Sequence, residues 1–184
     1  MRTIVSPLAA VFLLASLGTP AVAGTGFRLS SPTLKAGGRI PASQILDREG
    51  CSGGNRSPEL RWSGAPAATR SYALTLHDPD APTGSGWWHW VAFNIPATST
   101  SLPAGLPEDS AGSRIVQSMT DFGKVGYDGP CPPKGDTAHH YVYTLHALRV
   151  GSVPLDAKAT AAMVGLFLHQ NALATTTLTV RYGR

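Results

Sequence analysis

Two stretches of this chain carry the residues most able to do chemistry. Asp78-Pro79-Asp80-Ala81-Pro82 leads into Trp87-Trp88-His89-Trp90. Further on, Gly126-Tyr127-Asp128-Gly129-Pro130-Cys131-Pro132-Pro133-Lys134-Gly135 leads into His139-His140-Tyr141. Carboxylates and imidazoles can hold or move a proton near neutral pH, and a phenol can donate to an oxyanion. In extended chain, residues two apart share a face, so Asp78 pairs with Asp80 and His139 with Tyr141. By the same alternation, Trp88 and Trp90 are expected on one face and His89 on the other, with at least one Trp in the core.

Singly, each residue has an ordinary structural use. Asp beside Pro forms turns, and Asp80 is expected to accept hydrogen bonds from amides of its own loop. Jointly they point to a site, because core packing does not require Asp, His, His and Tyr at strand ends. A hydrogen bond from Asp78 to His89 is expected to raise the imidazole pKa. Anion binding would then strengthen as pH falls from about 8 towards 6, across the ordinary His value. The amides of Gly129 and Gly135 offer a second means of holding an anion, as a backbone nest. His146 reads as a surface histidine.

Other chemistries find less support. The His and Asp spacings match no compact zinc motif, so no metal is expected. No Gly-x-Ser-x-Gly elbow and no Gly-Lys-Ser/Thr phosphate loop occurs, and no cofactor is implied. Ser57 and Ser85 lie in loops without a sign of activation. A hydrolase using Asp78 and His89 stays open as an alternative.

These groups must be held by strands. Phe27–Leu29, Leu60–Trp62, Ser71–His77, Trp90–Ile95, Arg114–Gln117, Tyr141–Val150 and Thr175–Tyr182 read as strands, several of them alternating and rich in β-branched or aromatic residues. One helix is expected from Ala157 to about Ala174, with Asp156 as N-cap and Val164, Phe167, Leu168 and Asn171 on one face. The sum is a mainly β chain: an antiparallel β-sandwich-like core with peripheral helices, including one C-terminal helix. The long loops 32–59, 78–89, 97–113 and 118–139 carry most of the unusual residues, as functional loops do.

The chain has 184 residues, with 15 Lys+Arg against 11 Asp+Glu and a formal net charge of +4. The basic residues are scattered, which argues against nucleic acid as partner. Residues 1–23 read as a signal peptide: Arg2, an apolar run, then Ala21-Val22-Ala23 as the cleavage site. Residues 24–184 then form one exported domain, periplasmic or secreted, without a transmembrane segment. In that setting Cys51 and Cys131, the two cysteines present, are expected to form a disulfide; two free thiols are the alternative.

At these residues the chain resembles the phosphatidylethanolamine-binding protein family, in its bacterial Raf-kinase-inhibitor-like branch. The likeness rests on Ser57-Pro58-Glu59-Leu60 with Trp62, on the two long motifs, and on Asp121-Phe122-Gly123, and covers about residues 27–183. It implies antiparallel sheets with peripheral helices and a small pocket for phosphate-like groups and phospholipid headgroups. By motif, Asp78 and His89 supply the acid and the imidazole, and His139 and Tyr141 the second wall. Pro132 and Pro133, with glycines such as Gly129, shape the rim; Trp87 is an aromatic of the edge. Asp80 matches a structural acid.

The resemblance implies a binder or regulator rather than an enzyme. The expected partner is a small anion or a phospholipid headgroup. A protein-interaction module, such as a protease inhibitor or a signalling modulator, is the alternative, with loops 97–113 and 118–138 making the contacts. A homodimer is also expected, because bacterial relatives tend to pair; light scattering of the mature chain checks it, and a monomer mass at high concentration would end the expectation.

Overall fold

The computed structural model describes residues 26–108 and 114–184. The signal-peptide reading of residues 1–23 therefore lies outside the described residues. The strands are β1 (Arg28–Ser30), β2 (Leu60–Ser63), β3 (Ser71–Asp78), β4 (Trp87–Pro96), β5 (Ser101–Leu102), β6 (Val116–Gln117), β7 (His139–Leu148) and β8 (Ala172–Tyr182). One α-helix, α1 (Ala161–Asn171), precedes β8 directly, and a short 3-10 turn spans Ala42–Gln44.

Two antiparallel sheets form, one of three strands in the order β1-β2-β5 and one of five in the order β6-β4-β3-β7-β8. The core between them is built from alternate residues of each. Leu29, Leu60, Trp62 and Leu102 face Tyr72, Leu74, Leu76, Trp90, Tyr143 and Leu145. The opposite face of the larger sheet is covered by α1, where Val164 and Leu168 pack on Ala73, Val91, Phe93 and Leu148. The central β3 is thus buried on both sides, and Tyr72 to Leu76 shows no exposed face at all. Burial of a strand on both faces erases the polar half of the alternation.

The helix is shorter than the sequence pattern suggests. It starts at Ala161 with Thr160 as N-cap, whose Oγ1 accepts the Met163 N–H at 3.2 Å. Asp156 instead closes a preceding turn by accepting the Lys158 N–H at 2.8 Å. Ala172 and Ala174 belong to β8, where they pair with Leu148 and Ala147. Pairing along a ten-residue neighbour outweighs the modest helix preference of alanine. Thr160→Ala should cost about 1 kcal/mol in urea unfolding, the usual worth of a side-chain cap; an unchanged midpoint would count against this cap.

Bulges in β4 decide which way its side chains point. Leu76 pairs with Trp90 but His77 pairs with Trp88, so His89 is the extra residue of a bulge. A bulge puts two consecutive side chains on roughly one face. His89 and Trp90 consequently share the core side, and Trp88 turns to the outer face against the ring of His77, 4.2 Å between centroids. Strict alternation would have put both tryptophans opposite His89, and the bulge overturns that expectation.

Candidate functional site

A cleft of about 480 Å³ opens at one end of the larger sheet. Asp78 ends β3, Trp87 and His89 come from the start of β4, and His139 and Tyr141 from the start of β7. Because β4 and β7 flank β3, residues distant in sequence meet at a common strand end. Phe122, Pro132 and Pro133 complete the walls, with Glu49, Ala81–Thr83 and Cys131 at the rim. The structure places the four strand-end residues Asp78, His89, His139 and Tyr141 around one cleft, together with Trp87, Pro132 and Pro133, which the resemblance adds.

The pairing inside the cleft differs from expectation. Asp78 bonds His139, not His89: Oδ2 accepts from His139 Nδ1 at 2.8 Å, and Oδ1 accepts the Asp80 N–H at 2.9 Å. With both carboxylate oxygens engaged, Asp78 is fixed although buried. His139 Nε2 lies 3.6 Å from Asp136 Oδ2. His89 instead donates from Nδ1 to the Asp128 carbonyl at 2.9 Å, while the His89 carbonyl accepts the Asp128 N–H at 2.9 Å. That donor role fixes the tautomer: a neutral His89 keeps its proton on Nδ1 and presents a bare Nε2.

Burial lowers the His89 pKa from its ordinary value, against the opposing pull of the Asp128 carbonyl and the charges of Asp78 and Asp128. The expectation of a raised pKa is thereby reversed, since taking a cation out of water outweighs carboxylates that do not bond it. Tyr141 is fully buried, and its hydroxyl has no hydrogen-bond partner among the described residues. Burial first, then the charge of Asp78 and the approach of its carboxylate to the hydroxyl, which falls short of a well-formed hydrogen bond, push its pKa up, so it remains a donor. Trp87 Nε1 is likewise buried without a partner.

Nothing in the sequence pattern marks Asp128 as functional, yet it holds His89 in place. It is buried, with Oδ2 accepting from Thr120 Oγ1 at 2.7 Å and Oδ1 bonded by Arg48. Arg48 also lies over the Phe122 ring, 5.4 Å from its centroid. The available signal was an Asp in a Gly/Pro-rich loop, but such a residue is more often a turn former, and its partners lie far off in sequence.

Two expected roles change. Asp80 reaches across to the next strand rather than into its own loop: Oδ2 accepts the His140 N–H at 2.6 Å and bonds His140 Nδ1 at 2.7 Å. The His140 N–H is the main reason its pKa is lowered. Gly129 does not line the cleft; its N–H donates to Asn55 Oδ1 at 2.8 Å and its α-carbon abuts the Gln44–Leu46 backbone. The Gly135 N–H donates to the Arg184 carbonyl at 3.1 Å. Neither amide is free for a nest. The Cys51–Cys131 disulfide is formed, with Cα atoms 6.0 Å apart. No grouping of three or more His, Cys, Asp or Glu suited to a metal ion occurs among the described residues.

A two-sheet core with this strand-end cleft is a phosphatidylethanolamine-binding-protein fold, and residues 30–183 match that family. The chain belongs to the phosphatidylethanolamine-binding protein family. Among individual relatives it is 45% identical over 160 residues to the UPF0098 protein YbcL of Escherichia coli K12, covering 85% of this chain and 87% of that one. It is 43% identical over 157 residues to YbhB of the same organism, covering 84% and 99%. The crystal structure of E. coli YbcL superposes with a TM-score of 0.82 at 44% identity, over 86% of this chain and 98% of that one. A Chlamydia trachomatis homologue, CT736, superposes with a TM-score of 0.74 at 27% identity, over 87% and 99%.

Proposed function

We propose that this protein binds a small phosphate-like anion, free or as the headgroup of a phospholipid, and acts as an exported binding protein rather than an enzyme. The observation that carries the reading is a pair of buried donors without a hydrogen-bond partner among the described residues, Tyr141 Oη and Trp87 Nε1, both on residues lining the cleft. A buried donor left unpaired costs about 1–3 kcal/mol, which a ligand acceptor would recover. The apolar walls of Phe122, Pro132 and Pro133 leave room for the carbon chain of an ester. The disulfide supports export, since such bonds persist in oxidising compartments.

Charge sets the pH dependence. Glu49 and Asp78 line the cleft, and among the described residues no Lys or Arg does. A neutral His89 offers an oxyanion only a lone pair, so firm binding of a fully ionised anion draws a proton onto Nε2. The depressed pKa of His89 moves this gain below the ordinary value. Sulfate affinity is expected to be flat from pH 8 to 7 and to rise below about 6.5.

Calorimetry with sulfate and with a phosphomonoester tests both parts. His89→Ala should remove the acid-side rise. Tyr141→Phe should weaken binding roughly tenfold, the worth of one charge-assisted hydrogen bond. Affinity unchanged in Tyr141→Phe, or no binding by the wild type, would sink the proposal.

A further inference from the structure

Two loops on one side of the cleft, already tied by the Leu46 N–H to the Pro130 carbonyl and by Arg48 to Asp128, are cross-linked twice more towards the rim. The Cys51–Cys131 disulfide joins them. One residue away on each loop, the Arg184 guanidinium spans the same gap. Its Nη1 donates to the Gly50 carbonyl at 2.6 Å and its Nε to the Pro132 carbonyl at 2.7 Å, with Nη2 3.4 Å from the Glu49 carbonyl. The backbone of Arg184 adds a further tie, because its carbonyl accepts the Gly135 N–H at 3.1 Å.

The joined segments carry the rim: Glu49 and Cys131, with Pro132 and Pro133 behind them. Beyond Leu46 and Pro130, one covalent tether fixes a distance but leaves the Glu49–Gly50 and Pro132–Pro133 segments free to turn about it. A second tether beside it removes that rotation. The rim needs such restraint, because Glu49 has φ 54° and Gly50 φ 76°. A non-glycine residue keeps left-handed backbone only where its surroundings hold it there. Arginine suits the task, since its planar fork can meet several carbonyls at once, whereas lysine is a point charge on a flexible stem.

We propose that Arg184 is a positioning residue of the cleft, acting jointly with the disulfide to hold the Glu49 and Pro132–Pro133 wall in its binding geometry. The proposal rests on the anion-binding reading above for its functional consequence, but its structural part can be measured without ligand. That part is read by hydrogen exchange at the Cys51 amide, which donates to the Arg48 carbonyl at 3.0 Å within the held loop.

Arg184→Ala and Arg184→Lys are compared with wild type by this exchange and by sulfate titration, each with the disulfide intact and reduced. Arg184→Ala is expected to speed exchange of the Cys51 amide and weaken sulfate binding on the order of fivefold. Arg184→Lys should fail to restore either. Reduction in the Ala variant should weaken binding by more than the product of the two separate effects, because either tether partly covers for the other. Restoration by lysine would mean that charge near the cleft suffices, and would overturn the proposal. So would unchanged exchange in Arg184→Ala, or strictly multiplicative effects of substitution and reduction. If the wild type binds no sulfate, the anion-binding reading falls, and the exchange comparison alone decides whether Arg184 holds the wall.

Discussion

Gly129→Ala is expected to destabilise the protein by about 3–5 kcal/mol, at the far end of single-substitution effects. An added β-carbon would overlap the Gln44 carbonyl oxygen and lie 2.6 Å from Leu46 N and 2.7 Å from the Ile45 carbonyl carbon. All three are backbone atoms, so no side-chain rotation relieves the clash. The backbone is pinned on both sides. Gln44 O accepts the Tyr127 hydroxyl at 2.8 Å, the Leu46 N–H donates to Pro130 O at 3.2 Å, and the Gly129 N–H donates to Asn55 at 2.8 Å. Urea unfolding is the check, with Gly151→Ala as control because nothing lies within 4 Å of its added carbon. The control should stay within about 0.5 kcal/mol of wild type. A Gly129→Ala midpoint as close as that would show that the two segments do not approach as described.

Acid should destabilise the protein between about pH 6.5 and pH 4, through histidines buried in their neutral form. Burial lowers the His146 pKa to about 4, and its Nδ1 is buried without a partner among the described residues. It is not the surface residue its sequence context suggests. His89 is shifted in the same direction by burial. As pH falls through the ordinary imidazole value, the unfolded chain takes up protons that the folded chain refuses. Stability is therefore full above about 6.5 and is lost on the way down to the folded pKa near 4.

For His146 alone the loss across that window is about 2–3 kcal/mol, allowing for its partial exposure. The lowered Asp80 pKa acts in the same sense only at lower pH, below the ordinary carboxylate value of 3.8. Unfolding free energies at pH 7 and 4.5 should differ clearly in wild type and much less in His146→Leu, which keeps the bulk and removes the titration. Equal differences in the two proteins would end this account.

Much of the architecture was legible along the chain. The strands from Ser71 and Tyr141 were visible because they are long and rich in β-branched and aromatic residues. β5, of two residues, was not visible, since so short a pairing leaves no periodicity. The helix boundary was misplaced because Ala172 to Ala174 suits either state locally, and only the neighbouring β7 makes it strand.

The types of residue in the cleft, their grouping at strand ends and the glycine and proline loops around them were determined by the sequence itself. Alternation along extended chain requires His139 and Tyr141 to share a face, and stiff loops mark where strands stop. Which groups bond was decided by tertiary structure. The bulge at His89 turns its ring to the core side and towards the Asp128 loop, leaving Asp78 to His139. Burial then reverses the sign of the His89 shift, because desolvation depends on everything packed around a group and no local stretch of sequence carries that information. Gly129 makes the same point. Its place in a motif marked it as special, but only the backbone from Gln44 to Leu46, brought against it by folding, shows that what it supplies is space.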